Sequence, residues 1–260
     1  MNLAGLLSGW RRPAVSSAVA APPAHATAVT QSIARTHVGR VRTINEDRVF
    51  ASTEHGLWAV ADGMGGHFAG DVAAEAIIET LRALVGSPST PDDDMIETSL
   101  IAAGRHIHAG NAGSSRVSGS TIVALHAEGD RATLFWAGDS RAYRARDGRL
   151  ERLTRDHSLV QELIDSGALT PEQADRHPQA HVITRALGAA AEVAIDRRAV
   201  TVRPGDLFLL CSDGLTRGHA DPALLEYCGR PLATIADELM ADALAAGGAD
   251  NISLVLIAIG

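Results

Sequence analysis

The chain has 260 residues, 46% of them apolar and 21% charged, with a formal net charge of −8. These are the proportions of a water-soluble globular protein, and the acidic balance lacks the basic stripe that a nucleic-acid binder needs. The two cysteines, Cys211 and Cys228, exclude a disulfide framework and a cysteine-based zinc site.

Aromatic residues make up 3% of the chain, so Val, Leu, Ile and Ala must build the core. Residues 1–31 are expected to form a disordered tail, because beyond Arg12 they are mostly Ala, Pro, Ser and Thr. The apolar stretch before Arg11 is short, is broken by Gly and Ser, and follows no positive charge, which argues against a secretory signal. No run approaches the ~18 apolar residues of a membrane span. The expectation is a cytoplasmic protein without a membrane partner, and the high Ala content and Arg-over-Lys usage point to a bacterial source.

The folded part is read as residues 32–260. Residues 36–42 (THVGRVR) and 48–53 (RVFAST) read as short strands, and GLWAVAD as a buried strand ending at Asp62. Val72, Ala73, Ala76, Ile77, Thr80, Leu81 and Leu84 then fall on one face of a helical period. A second helix is predicted from Asp92 to Ala109. Three strand segments follow, at 119–129, 130–140 and 140–154. The turn signals Glu128-Gly129-Asp130 and Asp147-Gly148 join them as antiparallel hairpins rather than βαβ units.

Residues 156–187 are polar and broken into small pieces, and read as a flap inserted in the core pattern. SLVQELIDSG is a short helix stopped by Gly167. Thr170, Pro171 and Gln173 stand as N-cap, N1 and N3 of another. Strands are expected again at 191–202 and 205–213, then a helix over Pro231–Ala245 and a buried strand over 251–259. Strands flanked by helices and paired mostly antiparallel make a layered α+β domain. Cys211, inside LFLLCSDG, reads as core packing.

Asp62, Asp139, Asp213 and Asp250 each lie beside Gly, Ser or Asn at one end of an apolar run, and RTINED adds Glu46 and Asp47. An Asp-Gly pair taken alone is a turn signal. Several such carboxylates converging on one rim would repel one another unless a cation sits among them, and an all-oxygen set favours Mg²⁺ or Mn²⁺.

RTINED, DGMGGHFAGD, SGST, AGDSRAY, CSDGL and ADNISLVLI, in that order, resemble the motifs of the metal-dependent serine/threonine protein phosphatases of the type 2C (PPM) family, in its bacterial stand-alone form. The resemblance runs from about Thr36 to Gly260. It implies a four-layer α-β-β-α sandwich, two antiparallel sheets flanked by helices, with Mn²⁺ or Mg²⁺ at one edge. By motif, Asp62, Asp213 and Asp250 hold one ion. Asp62, the Gly63 carbonyl and, directly or through water, Glu46 hold a second, and Asp139 with Asp213 matches a third, weaker site. Arg42 matches the arginine that binds the substrate phosphate. Asp47 stands behind the ligands, and Asn251 fixes the loop of Asp250.

The implied reaction is direct hydrolysis of phosphoserine and phosphothreonine by a metal-activated water, with Arg42, Asp62 and Asp213 as the catalytic set. The implied partners are phosphoproteins, among them a Ser/Thr kinase and its targets in a signalling pathway, with the phosphatase as a monomer. Met64 stands where many eukaryotic members carry a histidine, and methionine cannot protonate a leaving group; His67, close by, is assigned no role. Two other readings compete: a catalytically silent phosphatase-like module that binds phosphoproteins, and a phosphoester hydrolase of another class such as a nuclease. The complete carboxylate set argues against the first and the acidic balance against the second.

Overall fold

The computed structural model describes residues 29–65, 69–113, 117–174, 177–216 and 224–260. In chain order the strands are β1 (Val29–His37), β2 (Asp47–Ser52), β3 (Leu57–Met64), β4 (Gly119–Ser120), β5 (Ile122–Glu128), β6 (Arg131–Ala137), β7 (Arg141–Arg146), β8 (Arg149–Arg152), β9 (Asp196–Thr201), β10 (Leu207–Cys211) and β11 (Ile252–Ile259). The helices are α1 (Ala69–Val85), α2 (Asp93–Gly110), α3 (Leu159–Asp165), α4 (Pro171–Ala174), α5 (Asp213–Thr216), α6 (Leu224–Tyr227) and α7 (Leu232–Ala245).

Two antiparallel sheets face each other. One has the order β1-β11-β10-β7-β8; the other runs β2-β3-β5-β6-β9, with β4 added to the end of β3. The apolar residues divide into three layers. Trp58, Val60, Leu134, Phe208, Leu210 and Val255 fill the space between the sheets. Ile77, Ile78 and Leu81 of α1 and Ile96 and Leu100 of α2 pack on the outer face of the second sheet. Ile235, Leu239 and Met240 of α7 cover the outer face of the first. The central strands are buried on both faces, so they read as continuous apolar runs such as LFLLC rather than as alternation. This is the expected α-β-β-α sandwich, and Cys211 is part of its core.

Several elements differ from their sequence reading. β1 begins at Val29, inside the stretch whose composition suggests a tail. Of the strand expected over 36–42, Thr36 and His37 alone are paired. The chain turns at Gly39, which has a φ of +84°; a side chain there would strike the Asp250 carbonyl 2.1 Å away. Arg40 N–H then donates to the Gly248 carbonyl instead of to a strand. β3 does not stop at Asp62: Gly63 and Met64 pair with Ser120 and Gly119. The strand expected from residue 191 starts at Asp196. In the flap, Ser158 caps α3, and Thr170 N–H donates to Gln173 Oε1 at 2.8 Å, as the N-cap reading requires.

Candidate metal centre at the sandwich edge

The ends of β3, β6 and β10 and the start of β11 lie at one edge of the sandwich. β2 and β3 run antiparallel with Asp47 directly opposite Asp62. The Asp62 backbone is held on both sides: its N–H donates to Thr121 Oγ1 at 3.3 Å, and its carbonyl accepts from Thr121 N–H at 2.8 Å and Ser120 Oγ at 3.0 Å. Thr121 Oγ1 also bonds Ser140 Oγ at 2.8 Å, next to Asp139 in the β6–β7 turn. One threonine therefore links the backbones that carry Asp62 and Asp139.

The first sheet supplies Asp213, the first residue of α5, and Asp250, just before β11. Ser212 joins the two sheets at this edge. Its Oγ donates to Asp47 Oδ2 at 2.8 Å and accepts from Ser253 N–H at 3.0 Å. Asp250 Oδ1 accepts from Asn251 N–H, and Asp250 Oδ2 accepts from Arg42 Nη2 at 2.9 Å; the Arg42 side chain is 50% exposed.

Burial and repulsion both act on these carboxyls. Asp62 is raised well above the ordinary carboxylate range, first by burial and then by the charges of Asp47, Asp213, Asp139 and Asp250. Burial pushes Asp47 up to about 7, against hydrogen bonds from Ser253 and Ser212, with Asp213 and Asp250 adding to the rise. Asp139 also reaches about 7, through burial and then the charges of Asp213 and Asp156. Asp47 is 1% exposed, and Asp47 Oδ1 and Asp139 Oδ1 are buried without a hydrogen-bond partner. Such a group is costly unless a cation or proton meets it. Among the described residues, no three His, Cys, Asp or Glu side chains are already closed around one ion-sized point. The all-oxygen donor set suits a hard divalent ion.

Gly63 has a role beyond offering its carbonyl. A Cβ there would lie 2.1 Å from the Gly70 carbonyl oxygen and 2.7 Å from that of Glu46. The missing side chain lets the start of α1 and the Glu46 turn close on β3. Glu46 is held by its backbone: its N–H donates to Asn251 Oδ1 and its carbonyl accepts from Gly63 N–H. Its carboxylate accepts from Gly70 N–H at 3.2 Å. Thr121, Ser212 and Ser253 escaped the sequence reading, although the motifs SGST, CSDGL and ADNISLVLI contain them and Ser212 stands beside Asp213. His67 lies outside the described residues, as do the central residues of DGMGGHFAGD. A cavity of about 420 Å³ lies at the opposite end of the sandwich, between the Asp147-Gly148 hairpin and the start of α7, and shares no residue with this rim.

Residues 36–246 match the family model described as Protein phosphatase 2C. This chain belongs to the protein phosphatase 2C family. Among its relatives in that family, the serine/threonine protein phosphatase PstP of Mycobacterium tuberculosis is 40% identical over 244 residues and covers 90% of the chain; the chain spans 46% of PstP, about half its length. The serine/threonine phosphatase stp of Listeria monocytogenes is 35% identical over 235 residues, covering 86% of this chain and 93% of stp. Among solved protein phosphatase 2C structures, PppA of Pseudomonas aeruginosa, described as a key regulatory component of the T6SS, has a TM-score of 0.79 at 40% identity, covering 88% of this chain and 97% of PppA. The catalytic domain of PstP in complex with two manganese ions has a TM-score of 0.78 at 37% identity, with the same coverage of the two chains.

Proposed function

We propose that the chain is an active metal-dependent phosphatase that hydrolyses phosphoserine and phosphothreonine in proteins. It reverses a bacterial Ser/Thr kinase in cytoplasmic signalling and acts as a monomer. The observation that carries this reading is the convergence of Asp47, Asp139, Asp213 and Asp250 on Asp62, with two buried carboxylate oxygens left unpartnered. A silent phosphoprotein-binding module would have no use for so costly a cluster. Among the described residues, no helix is long and apolar enough to cross a membrane.

Asp62, Asp213 and Asp250 would hold one Mn²⁺ or Mg²⁺, and Asp62, the Gly63 carbonyl and Glu46 a second; Asp139 with Asp213 would take a third. Ions bound there supply charge neutralisation at a phosphoryl group and a water acidic enough to react near neutral pH. The protein's own residues do the positioning. Asp47 lies behind the rim, where Ser212 Oγ donates to its Oδ2 and fixes the carboxyl beside the ligand positions. Arg42 stands beside Asp250 with half its side chain in solvent, placed to receive phosphate oxygens on a planar two-pronged donor. Met64 offers no proton, so this chain does not use that position as an acid.

The test is phosphate release from p-nitrophenyl phosphate and from a phosphothreonine peptide, with Mn²⁺ and with EDTA. The reading expects Mn²⁺-dependent turnover that Asp62→Asn removes. A folded protein inert toward both substrates in Mn²⁺ supports the silent module instead.

A further inference from the structure

The residue after Asp47 is a cation that the phosphatase reading leaves without a task. Arg48 opens toward its own turn: Nη1 donates to the carbonyls of Asn45 and Asp47, both at 2.9 Å. These two peptide groups bracket the Glu46–Asp47 pair. Nε donates to Glu75 Oε2 on α1 at 2.6 Å, and Nη2 lies 3.8 Å from Asp71 Oδ2. Glu75 Oε1 accepts from Arg82 Nη1, so the anchor is itself braced along α1. The Arg48 side chain is 29% exposed, so its bonds are partly shielded from water.

The turn is tethered from every side. Glu46 N–H goes to Asn251, Glu46 carbonyl to Gly63 N–H, and Asp47 N–H to Asn45 Oδ1 at 3.1 Å. Arg48 takes the two remaining carbonyls. Two links reach α1 from this turn: the Glu46 carboxylate accepts from Gly70 N–H at 3.2 Å at the start of the helix, and Arg48 donates to Glu75 farther along it. The Arg48–Glu75 link braces the turn that carries this Glu46–Gly70 bond, because it ties the Asn45 and Asp47 carbonyls to the same helix.

We propose that Arg48 is a positioning residue for divalent-metal binding: it clamps the Asn45–Asp47 turn to α1 and so sets where the Glu46 and Asp47 carboxylates stand. The task suits arginine, because a planar guanidinium donates in several fixed directions at once, whereas a lysine ammonium is a mobile point charge. The proposal rests on the reading of Glu46 and Asp62 as metal ligands.

The experiment is calorimetric titration of the full chain with Mn²⁺, for the parent and for Arg48→Lys, Arg48→Ala, Glu75→Gln and Asp62→Asn. Loss of an outer partner typically weakens a metal site 10–100-fold. Arg48→Lys and Arg48→Ala are expected to raise the Mn²⁺ Kd about 10-fold or more, with kcat at saturating Mn²⁺ falling far less than the affinity. Glu75→Gln should give a smaller shift in the same direction. An unchanged Mn²⁺ Kd in Arg48→Lys, with only the melting temperature lowered, overturns the proposal by making Arg48 a purely structural tie. If Arg48→Ala does not fold, Arg48→Lys and Glu75→Gln decide the matter in the same way. Mn²⁺ binding that survives Asp62→Asn overturns the site reading itself, and this proposal with it.

Discussion

Asn251 Oδ1 accepts the backbone N–H of Glu46 at 2.8 Å, across 205 residues of chain. The same side chain donates from Nδ2 to the carbonyls of Val38 and Ile44, both at 2.9 Å. One buried amide thus stitches the whole β1–β2 connection to the loop of Asp250. Asn251→Ala leaves one N–H and two carbonyls without this partner and is expected to cost roughly 2–3 kcal/mol, since each buried group left unpaired costs about 1–3 kcal/mol where water cannot replace it. Asn251→Asp keeps the bond to Glu46 but turns two donors into acceptors facing carbonyls. It should destabilise at least as much, despite being isosteric. Urea denaturation of the two variants checks the order.

The carboxylate rim makes stability depend on pH in an unusual direction. Asp47 and Asp139 stand near 7 in the folded chain, raised by burial and by their neighbours, against an ordinary value of 3.8. A folded-state value above the unfolded one means that the native state binds the extra protons. The stability from these groups is present below about pH 4 and is lost as pH rises through about 7. Without metal, the cluster should lower the melting temperature between about pH 5 and about pH 8. A divalent ion replaces the protons, so the gain in melting temperature on adding Mn²⁺ should grow over the same interval. Thermal scans in EDTA and in Mn²⁺ across that range measure both trends; a Mn²⁺ increment that shrinks with rising pH would count against the cluster as a cation site.

Asp213 contributes charge to the shifts of Asp47, Asp62 and Asp139. Asp213→Asn removes that charge with little change of shape. The metal-free protein should become more stable by about 1 kcal/mol, or a rise of roughly 2–4 °C in melting temperature for a chain of this size. The Mn²⁺-induced increment and the release of phosphate should both fall sharply. A mutation that stabilises the fold while removing function is the expected signature of a site that stores repulsion.

Two helical glycines should respond oppositely to alanine. A Cβ on Gly70 would sit 2.6 Å from Glu46 Oε1 and 2.7 Å from the Gly63 carbonyl carbon, whereas Gly110 has nothing within 4 Å. Gly70→Ala gains about 1 kcal/mol of helix propensity but must push α1 off β3, and overpacking of this kind costs typically 1–3 kcal/mol. It should lower both the melting temperature and Mn²⁺ affinity. Gly110→Ala has space and should be neutral or stabilising by up to about 1 kcal/mol. Thermal scans and metal titrations on the pair separate steric from helical effects.

Sequence alone determined the layers. The apolar runs ending near Asp62, Asp139 and Asp213 and the turn residues at 147–148 are local signals, because burial imposes its period on neighbouring positions. The face read for α1 holds at Ala73, Ile77 and Leu81, but Val72 is exposed and Ala74 and Ile78 are buried instead, since the packing against β3 decides which way the helix is turned. The residue types of the rim were legible for the same reason: a carboxylate beside an apolar run stands out whatever lies opposite. Tertiary structure decided the rest. Asp47 faces Asp62 only through the register of β2 on β3. β3 continues past Asp62 because Gly119 and Ser120 come to pair with it. Ser212 reaches Asp47, and Asn251 reaches Glu46, across 165 and 205 residues. No periodicity records such partners, since a hydrogen bond between distant segments constrains two positions and leaves the pattern around each unchanged.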